Sequence, residues 1–549
     1  MVRTVAFTLA AISVAPLTAL SAQLTQDTAR RIDGVFAAVD RTDRPGCVVG
    51  VNRDTRSLFR RGYGMASLEF GVPLTEHSVL ESGSVAKQFA AGAIVRLAQT
   101  GKLGLDDPVR KYVPELPDYG APITVRMLLN HTSGIRDMWT LFNVAGQSMG
   151  TVLFTMDRAL RMVYRQRELN FPPNSQFLYS NSGYLLLAEI VHRVGGGTLA
   201  EYSRDTFFRP LGMRRTQWRD DWNQTVADRA TAYSPVEKRW RVDMPYMSVY
   251  GAGGLLTTVG DLLLWNEELA NPRIGGKAWT DSLERRGRLT SGRELGYALG
   301  LFVGSHRGER EVSHTGATGG YRTYLGRFPN RALSIAVLCN YGSANPEEFG
   351  HRVADVFLAP RDTTPAGSQA VAATPNISRY LGRYRDPGSE SVITMVDRDG
   401  RLARAGGSPP LVPAGPDRFS AAGGAVTVAF HPVRDGKATG LTLTQPGEDS
   451  THYERLTPPP STARGLTGFL GSYHSDELDV SYRIEAKDTT LTVTIAGDPP
   501  FDLSRYTLDS FGGANGLALR FTRRAGRVTG FLLFAGRVKN LRFQRTSTR

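Results

Sequence analysis

The sequence predicts an α+β protein: an antiparallel sheet with an inserted helical layer, followed by two small antiparallel β-barrels. Three observations carry this. Strand-like runs occupy both ends of the stretch from about residue 45 to 360, whereas its middle shows helical spacing. Residues 361–376 then have the composition of a linker. Beyond them, two segments of about 85 residues echo each other at an offset of 89 to 91 residues.

The elements follow in order. In residues 1–22, Arg3 precedes an apolar run from Val5 to Ala22 that is broken by Pro16 and ends in small residues. This pattern reads as a secretory signal cleaved near Ala22, although Leu20 stands where a small residue is preferred. The other reading is a membrane anchor; Pro16, the Thr and Ser content and the short run argue against it, and no other stretch is long and apolar enough to span a bilayer. The main domain, 23–360, opens with Ile32, Val35, Phe36 and Val39 at helical spacing. Two strands follow, from Cys47 to Asn52 and from Ser57 to Tyr63, with Asp54-Thr55 as their turn. A helix carrying Ser84 continues through Phe89, Ile94 and Leu97 to a stop at Gly101. A mainly helical stretch extends to about residue 290. Strands are then expected at 295–303, 310–314, 321–328 and 332–340, and a helix at 346–357 closes the unit.

The barrels are placed at 377–457 and 466–549, joined by a linker at 458–465 that begins Pro458-Pro459-Pro460. Leu381-Gly382-Arg383-Tyr384 is echoed by Leu470-Gly471-Ser472-Tyr473, and Phe430 with Thr439-Gly440-Leu441 by Phe521 with Thr529-Gly530-Phe531.

The 549 residues, 41% hydrophobic and 21% charged, suffice for about three globular domains. The net charge is +14, and from Arg520 to Arg549 there are nine basic residues and no acidic one. Such a cluster can attract an anionic cell-envelope polymer, but the favoured reading is solvated strand faces in an Arg-rich proteome. No nucleic-acid-binding signature accompanies it. The two cysteines, Cys47 and Cys339, lie in strand-like runs; one disulfide or two buried thiols both fit. There is no CxxC or HExxH, so neither a metal nor a cofactor is expected.

Three short blocks carry chemistry in one order: Ser84-Val85-Ala86-Lys87, Tyr179-Ser180-Asn181 and His314-Thr315-Gly316. Lys87 stands one helical turn after Ser84, so its amine can approach the hydroxyl. The positive helix N-terminus favours a developing oxyanion and lowers the lysine pKa. A phenol beside a lysine ammonium is expected to have a lowered pKa and to relay the nucleophile's proton to a leaving group. Asn181 can bond a substrate amide or Lys87. Gly316 permits close approach to the backbone, and the Ala317 N–H can face that of Ser84 as a second oxyanion donor. Taken singly, each block has a plain structural reading: a Ser N-cap with a surface lysine, a half-buried loop tyrosine, a strand histidine.

Residues from about 45 to 360 resemble the serine hydrolases related to class C β-lactamases and soluble DD-carboxypeptidases. The resemblance extends to Glu81–Gln88, Leu128–Ile135 and Gly251–Thr258 with Asp261. It implies the β-lactamase/transpeptidase-like fold, Ser84 as the acylated residue, and Lys87 and Tyr179 as its acid/base pair. It also implies Asn181, His314, Thr315 and Gly316 as substrate contacts, and the Ser84 and Ala317 amides as the oxyanion hole. His314 stands where class C β-lactamases have lysine, as in DD-carboxypeptidases, D-aminopeptidases and some esterases of this kind. A mostly neutral imidazole draws a substrate carboxylate less than an ammonium does, which argues against efficient β-lactam hydrolysis. The trailing barrels are similar in layout to D-aminopeptidases with lipocalin-like domains. The expectation is an exported enzyme acting on amide bonds of small peptides, D-residue or cell-wall-type peptides foremost. The alternatives are an esterase, a weak β-lactamase, or an inactive penicillin-binding envelope sensor.

Overall fold

The computed structural model describes residues 24–148, 152–358, 376–406, 409–421, 426–444, 450–457, 465–513 and 516–546. Residues 1–22, where a signal segment is expected, and nearly all of both expected linkers lie outside the described residues. Six helices and six strands suffice to place the site. They are α1 (Gln26–Phe36), β1 (Cys47–Arg53), β2 (Arg56–Tyr63), α2 (Lys87–Gln99), α3 (Met138–Val144), α4 (Asn181–Gly195), α5 (Val259–Ala270), β3 (Phe302–His306), β4 (Glu309–Thr318), β5 (Tyr321–Phe328), β6 (Leu333–Cys339) and α6 (Pro346–Phe357).

The two ends of the domain form one antiparallel sheet, in the order β3-β4-β5-β6-β1-β2. Alternation sends Cys47, Val49 and Val51 to one face, where they pack with Ile32, Val35 and Phe36 of α1 and Val353 and Ala354 of α6. Val48 joins the opposite core, with Phe89 of α2 and Val259, Leu262 and Leu263 of α5. The sheet is therefore covered on both faces, and the helical layer lies between its N- and C-terminal strands in sequence. The start of α6 is locally encoded: Asn345 Oδ1 accepts from Glu348 N at 3.3 Å, and Pro346 occupies the first turn.

Two expectations change. The strand expected at 295–303 begins only at Phe302, because the chain first turns back on itself, with Ala298 N donating to Leu301 O at 2.7 Å. Its apolar residues Leu295, Tyr297, Leu299 and Leu301 are buried, so the hydrophobic run reports burial and not extension. Ser84 lies in a 3-10 turn, Gly83–Ala86, ahead of α2 and not within the α-helix.

Cys47 and Cys339, directly opposite on β1 and β6, are joined in a disulfide across a sequence separation of 292 residues. The bond ties together the two ends of the chain that build the sheet. Replacing both cysteines by alanine is expected to cost about 2–4 kcal/mol, since the cross-link restricts a long loop in the unfolded chain. Denaturant titration of the double variant checks this; an unchanged midpoint would contradict it.

The C-terminal region holds two eight-stranded antiparallel sheets. The second, from Gly471–Ser475 to Val538–Arg545, is a closed barrel. The first is barrel-like, an eight-stranded ladder among the described residues. Its edge strands, Arg401–Arg404 and Val412–Gly415, are bridged by the Leu411 N to Leu402 O hydrogen bond of 2.7 Å. The internal echo is physical. Tyr384 OH donates to Tyr380 O, and Tyr473 OH to Phe469 O, each at 2.7 Å. Arg455 caps the Leu381 carbonyl as Arg545 caps that of Leu470, each guanidinium lying over the matching tyrosine ring.

The second barrel docks on the hydrolase unit. Arg136, fully buried, pairs with Glu477 at 2.7 Å and donates to Lys539 O at 3.1 Å and Asn540 O at 2.9 Å. Asn170 Nδ2 donates to Arg537 O at 2.9 Å, and Lys539 N donates to Asn170 Oδ1 at 2.7 Å. Apolar residues of this barrel, Tyr482 and Ile495 among them, belong to the same hydrophobic cluster as α2 and α4. The first barrel has its own core and joins the second through Glu390, which pairs with Arg520 at 3.0 Å. Arg520, Arg523 and Arg542 of the basic C-terminal cluster are thus partnered by Glu390, Asp509 and Glu168.

Candidate active site

In a 3-10 turn, positions i and i+3 eclipse, so Lys87 stands directly over Ser84. Lys87 Nζ lies 3.1 Å from Ser84 Oγ, 2.9 Å from Asn181 Oδ1 and 2.6 Å from the Ala252 carbonyl oxygen. Burial holds the amine well below the ordinary lysine range; the positive charge of Arg537 adds to this and Asp137 opposes it. A neutral amine has two N–H donors and one lone pair. Asn181 and Ala252 take the donors, which leaves the lone pair for the Ser84 hydroxyl proton.

Asn181 is itself oriented. Asp137 Oδ2 accepts from both its backbone N and its Nδ2 at 2.7 Å, which turns the amide oxygen toward Lys87. The other oxygen of Asp137 caps α3 by accepting from Thr140 N at 3.1 Å. Asp137 is not recognisable as a site residue from the sequence. Its local signal, an acidic residue just before a helix, reads as an N-cap and nothing more.

Tyr179 corrects an expectation. Its phenol pKa is raised, not lowered: burial dominates, and the nearby Ser84 hydroxyl and Arg537 only partly offset it. Tyr179 is therefore a protonated phenol at neutral pH. The hydroxyl is buried and makes no hydrogen bond of good geometry among the described residues, so its proton remains available. The ring sits 4.8 Å from Lys87 Nζ and 4.1 Å from the ring of His131. His131 Nδ1 accepts from Ser180 N at 3.2 Å and so fixes the Tyr179–Asn181 loop.

His314 forms the opposite wall. Its Nδ1 meets the Thr315 carbonyl oxygen at 2.6 Å, so that nitrogen carries the proton, and Nε2 accepts from Tyr297 OH at 3.0 Å. Burial, with the nearby Lys87, drives its pKa down to about 3, in line with the expected neutral imidazole. At the seam, a Cβ on Gly83 would lie 2.4 Å from Ala317 N, and one on Gly316 would lie 2.0 Å from Ser82 O and 2.9 Å from Ser84 N. Only glycine at both positions lets the Ser84 and Ala317 amides draw together.

Behind this seam Arg219 and Glu81 form a buried ion pair at 2.8 Å, and Glu81 Oε1 accepts from Gly254 N at 3.2 Å. The pair steadies the glycine-rich segment whose Ala252 carbonyl meets Lys87. Neither residue was singled out as functional, because a buried Arg–Glu pair has no local sequence signature.

Ser84, Tyr179, Asn181, His314, Thr315, Gly316 and Ala317 line one cavity of about 680 Å³, with Lys87 beneath its floor. The structure thus brings together every residue singled out from the sequence. One lining residue comes from elsewhere: Arg537, at the hairpin tip between Arg527–Ala535 and Val538–Arg545 of the second barrel. Its guanidinium carbon lies 4.7 Å from the Tyr179 ring centroid. Among the described residues, no metal-binding cluster of His, Cys, Asp or Glu is present and no helix is long and apolar enough to cross a membrane.

A serine hydroxyl beside a buried lysine of lowered pKa, a protonated tyrosine above it and paired backbone amides beside it define an acylating serine hydrolase. Comparison with known proteins agrees. The family model "Beta-lactamase" matches residues 32–359, more than half of the chain, and the protein belongs to that family. It is 26% identical over 440 residues to a D-aminopeptidase of Brucella anthropi, covering 79% of this chain and 80% of that protein. It is 28% identical over 369 residues to penicillin-binding protein 4* of Bacillus subtilis (strain 168), covering 62% of this chain and 80% of that one. Among solved structures, the octameric penicillin-binding protein homologue from Pyrococcus abyssi superposes with a TM-score of 0.53 at 20% identity, over 94% of this chain and 99% of its own. At that identity the likeness concerns the fold alone. The protein is a serine hydrolase of the β-lactamase family.

Proposed function

We propose that this protein is an exported hydrolase that cleaves amide bonds of small peptides, D-residue and cell-wall-type peptides foremost, through an acyl-enzyme on Ser84. The observation that carries the reading is the saturation of Lys87: two acceptors and one hydroxyl surround a desolvated amine. Lys87 takes the Ser84 proton as Oγ attacks the carbonyl, and the oxyanion meets the Ser84 and Ala317 amides. The Tyr179 hydroxyl donates to the departing nitrogen and is reprotonated from Lys87. Water then attacks the ester by the reverse relay. Relatives named D-aminopeptidase support the choice of D-residue substrates. The apolar N-terminal run and the Cys47–Cys339 disulfide support export to an oxidising compartment.

Intact-mass spectrometry tests this. Incubation with a panel of D- and L-residue peptides and small esters should give an adduct on the peptide containing Ser84 that forms and decays with turnover. The D-peptides should turn over at least tenfold faster than their L-counterparts. Turnover without an adduct on Ser84, or a preference for L-peptides, contradicts the proposal.

A further inference from the structure

We propose that Arg537, supplied by the second barrel, is the carboxylate-binding residue of this active site and selects peptides whose leaving residue ends in a free carboxylate. The inference rests on the acyl-enzyme reading above and decides which end of a peptide the enzyme attacks.

Four observations support it. First, the catalytic groups offer no free cation to a substrate carboxylate: the buried Lys87 amine is already engaged by Asn181, Ala252 and Ser84, and both ring nitrogens of His314 are engaged. Second, the cavity is lined by two arginines, Arg322 and Arg537. Arg322 is engaged, donating to the carbonyls of Gly319 at 2.6 Å and Tyr321 at 2.7 Å. Third, Arg537 is exposed, and among the described residues no carboxylate forms an ion pair with it. The acidic residues lining the cavity are Asp137, occupied by Asn181 and Thr140, and Glu347 at the start of α6, which forms no ion pair with Arg537 among the described residues; Asp386 and Asp498 line a second cavity, of about 910 Å³, that Arg537 and Tyr179 share with the first. Fourth, the guanidinium is braced. It stacks over the Tyr179 ring at 4.7 Å, and the Arg537 carbonyl is fixed by Asn170 Nδ2 at 2.9 Å and Asp137 N at 3.3 Å.

The position sets the substrate end. Tyr179 delivers the proton to the leaving nitrogen, so a group held over the Tyr179 ring lies on the leaving-group side. In a peptide cut at its last bond, the terminal carboxylate is one carbon from that nitrogen. A guanidinium there offers a planar fork to the carboxylate and repels an ammonium. The site therefore favours removal of a C-terminal residue, with the free amino end placed away from Arg537.

The test uses the full-length protein and two ligands, acetyl-D-alanyl-D-alanine and its C-terminal amide, each competing against fluorophosphonate labelling of Ser84. This readout requires binding and not turnover, so a failed peptidase reading, with labelling but no hydrolysis, is distinguishable from failure of the present one. In wild type the free carboxylate is expected to protect at least tenfold better than the amide. Arg537→Gln should lower that ratio by about 10- to 100-fold, the usual effect of losing a charge-assisted hydrogen bond. Arg537→Lys should restore part of it. Equal protection by the two ligands in wild type overturns the proposal, as does a ratio unchanged in Arg537→Gln. Because the wild-type arm stands alone, a variant that fails to fold does not shield the proposal. The corresponding kinetic split is a rise in KM for carboxylate-ended peptides that the amide-ended series does not share.

Discussion

Replacing Lys87 by methionine is expected to slow acylation of Ser84 by about 10³-fold, the middle of the range for losing a general base. Methionine keeps the length and apolar body of the side chain, so the buried site stays filled, but it offers no lone pair of comparable basicity to the hydroxyl 3.1 Å away. Stopped labelling with a fluorophosphonate, read by gel or mass, measures the step directly. A loss below tenfold would move the base elsewhere, to Tyr179 in the first instance. Ser84→Ala, by contrast, removes the acceptor atom and should abolish labelling altogether. The double variant should then be no worse than Ser84→Ala alone, because residues that act as one unit are not additive.

The same assignment fixes the pH dependence. Lys87 works as a base only when neutral, and burial lowers its pKa. The acylation rate should rise with pH through that lowered value and level off well before the ordinary lysine range. Tyr179 is raised, so it keeps its proton across the same window, and His314 contributes no limb near neutrality because its pKa lies at about 3. A single rising limb is expected, not a bell. The effect on stability has a definite sign. The unfolded chain's lysine binds its proton up to the ordinary value, whereas the folded one releases it lower. Between the two values the unfolded state carries more protons, so the contribution of Lys87 to stability grows as pH rises.

The residues legible in the sequence share one property: local chemistry already marks them. Ser84 and Lys87 are three apart, Tyr179 and Asn181 share a tripeptide, and His314-Thr315-Gly316 sits on a strand with its own alternation. The antiparallel sheet built from both ends was legible for the same reason, through the period of its apolar residues. What escaped is what only tertiary contact creates. Asp137 looks like any helix cap until Asn181 is packed against it. Arg537 looks like any hairpin residue until the second barrel docks. The expectation of a lowered Tyr179 pKa fails because the sequence reports neighbours but not burial, and burial outweighs them. The turn at 298–301 was missed because a hydrophobic run records what is buried without recording its direction.

Glu477→Ala is expected to destabilise docking of the second barrel by about 3–5 kcal/mol and to lower activity with it. Removing one partner of a buried ion pair strands the other's charge, which is far costlier than the net worth of the intact pair. Here the stranded group is Arg136, whose side chain is fully buried and keeps only Glu168, 4.0 Å away, as a carboxylate neighbour. Glu477 also accepts from Arg167 N at 2.7 Å, so a backbone donor loses its partner too. The coupling to chemistry runs through adjacent residues. The Arg136 side chain grips the barrel, while the neighbouring Asp137 holds Asn181 by its carboxylate and meets the Arg537 carbonyl by its amide. Undocking therefore withdraws Arg537 from Tyr179 and loosens the residue that aims Asn181 at Lys87. Glu477→Gln, which keeps an acceptor but not the charge, should show a smaller loss in both measurements. Calorimetric melting and the rate of Ser84 labelling, taken on the same samples, decide the matter. A melting transition that falls while labelling is unchanged would mean that the barrel stabilises the enzyme without shaping its site.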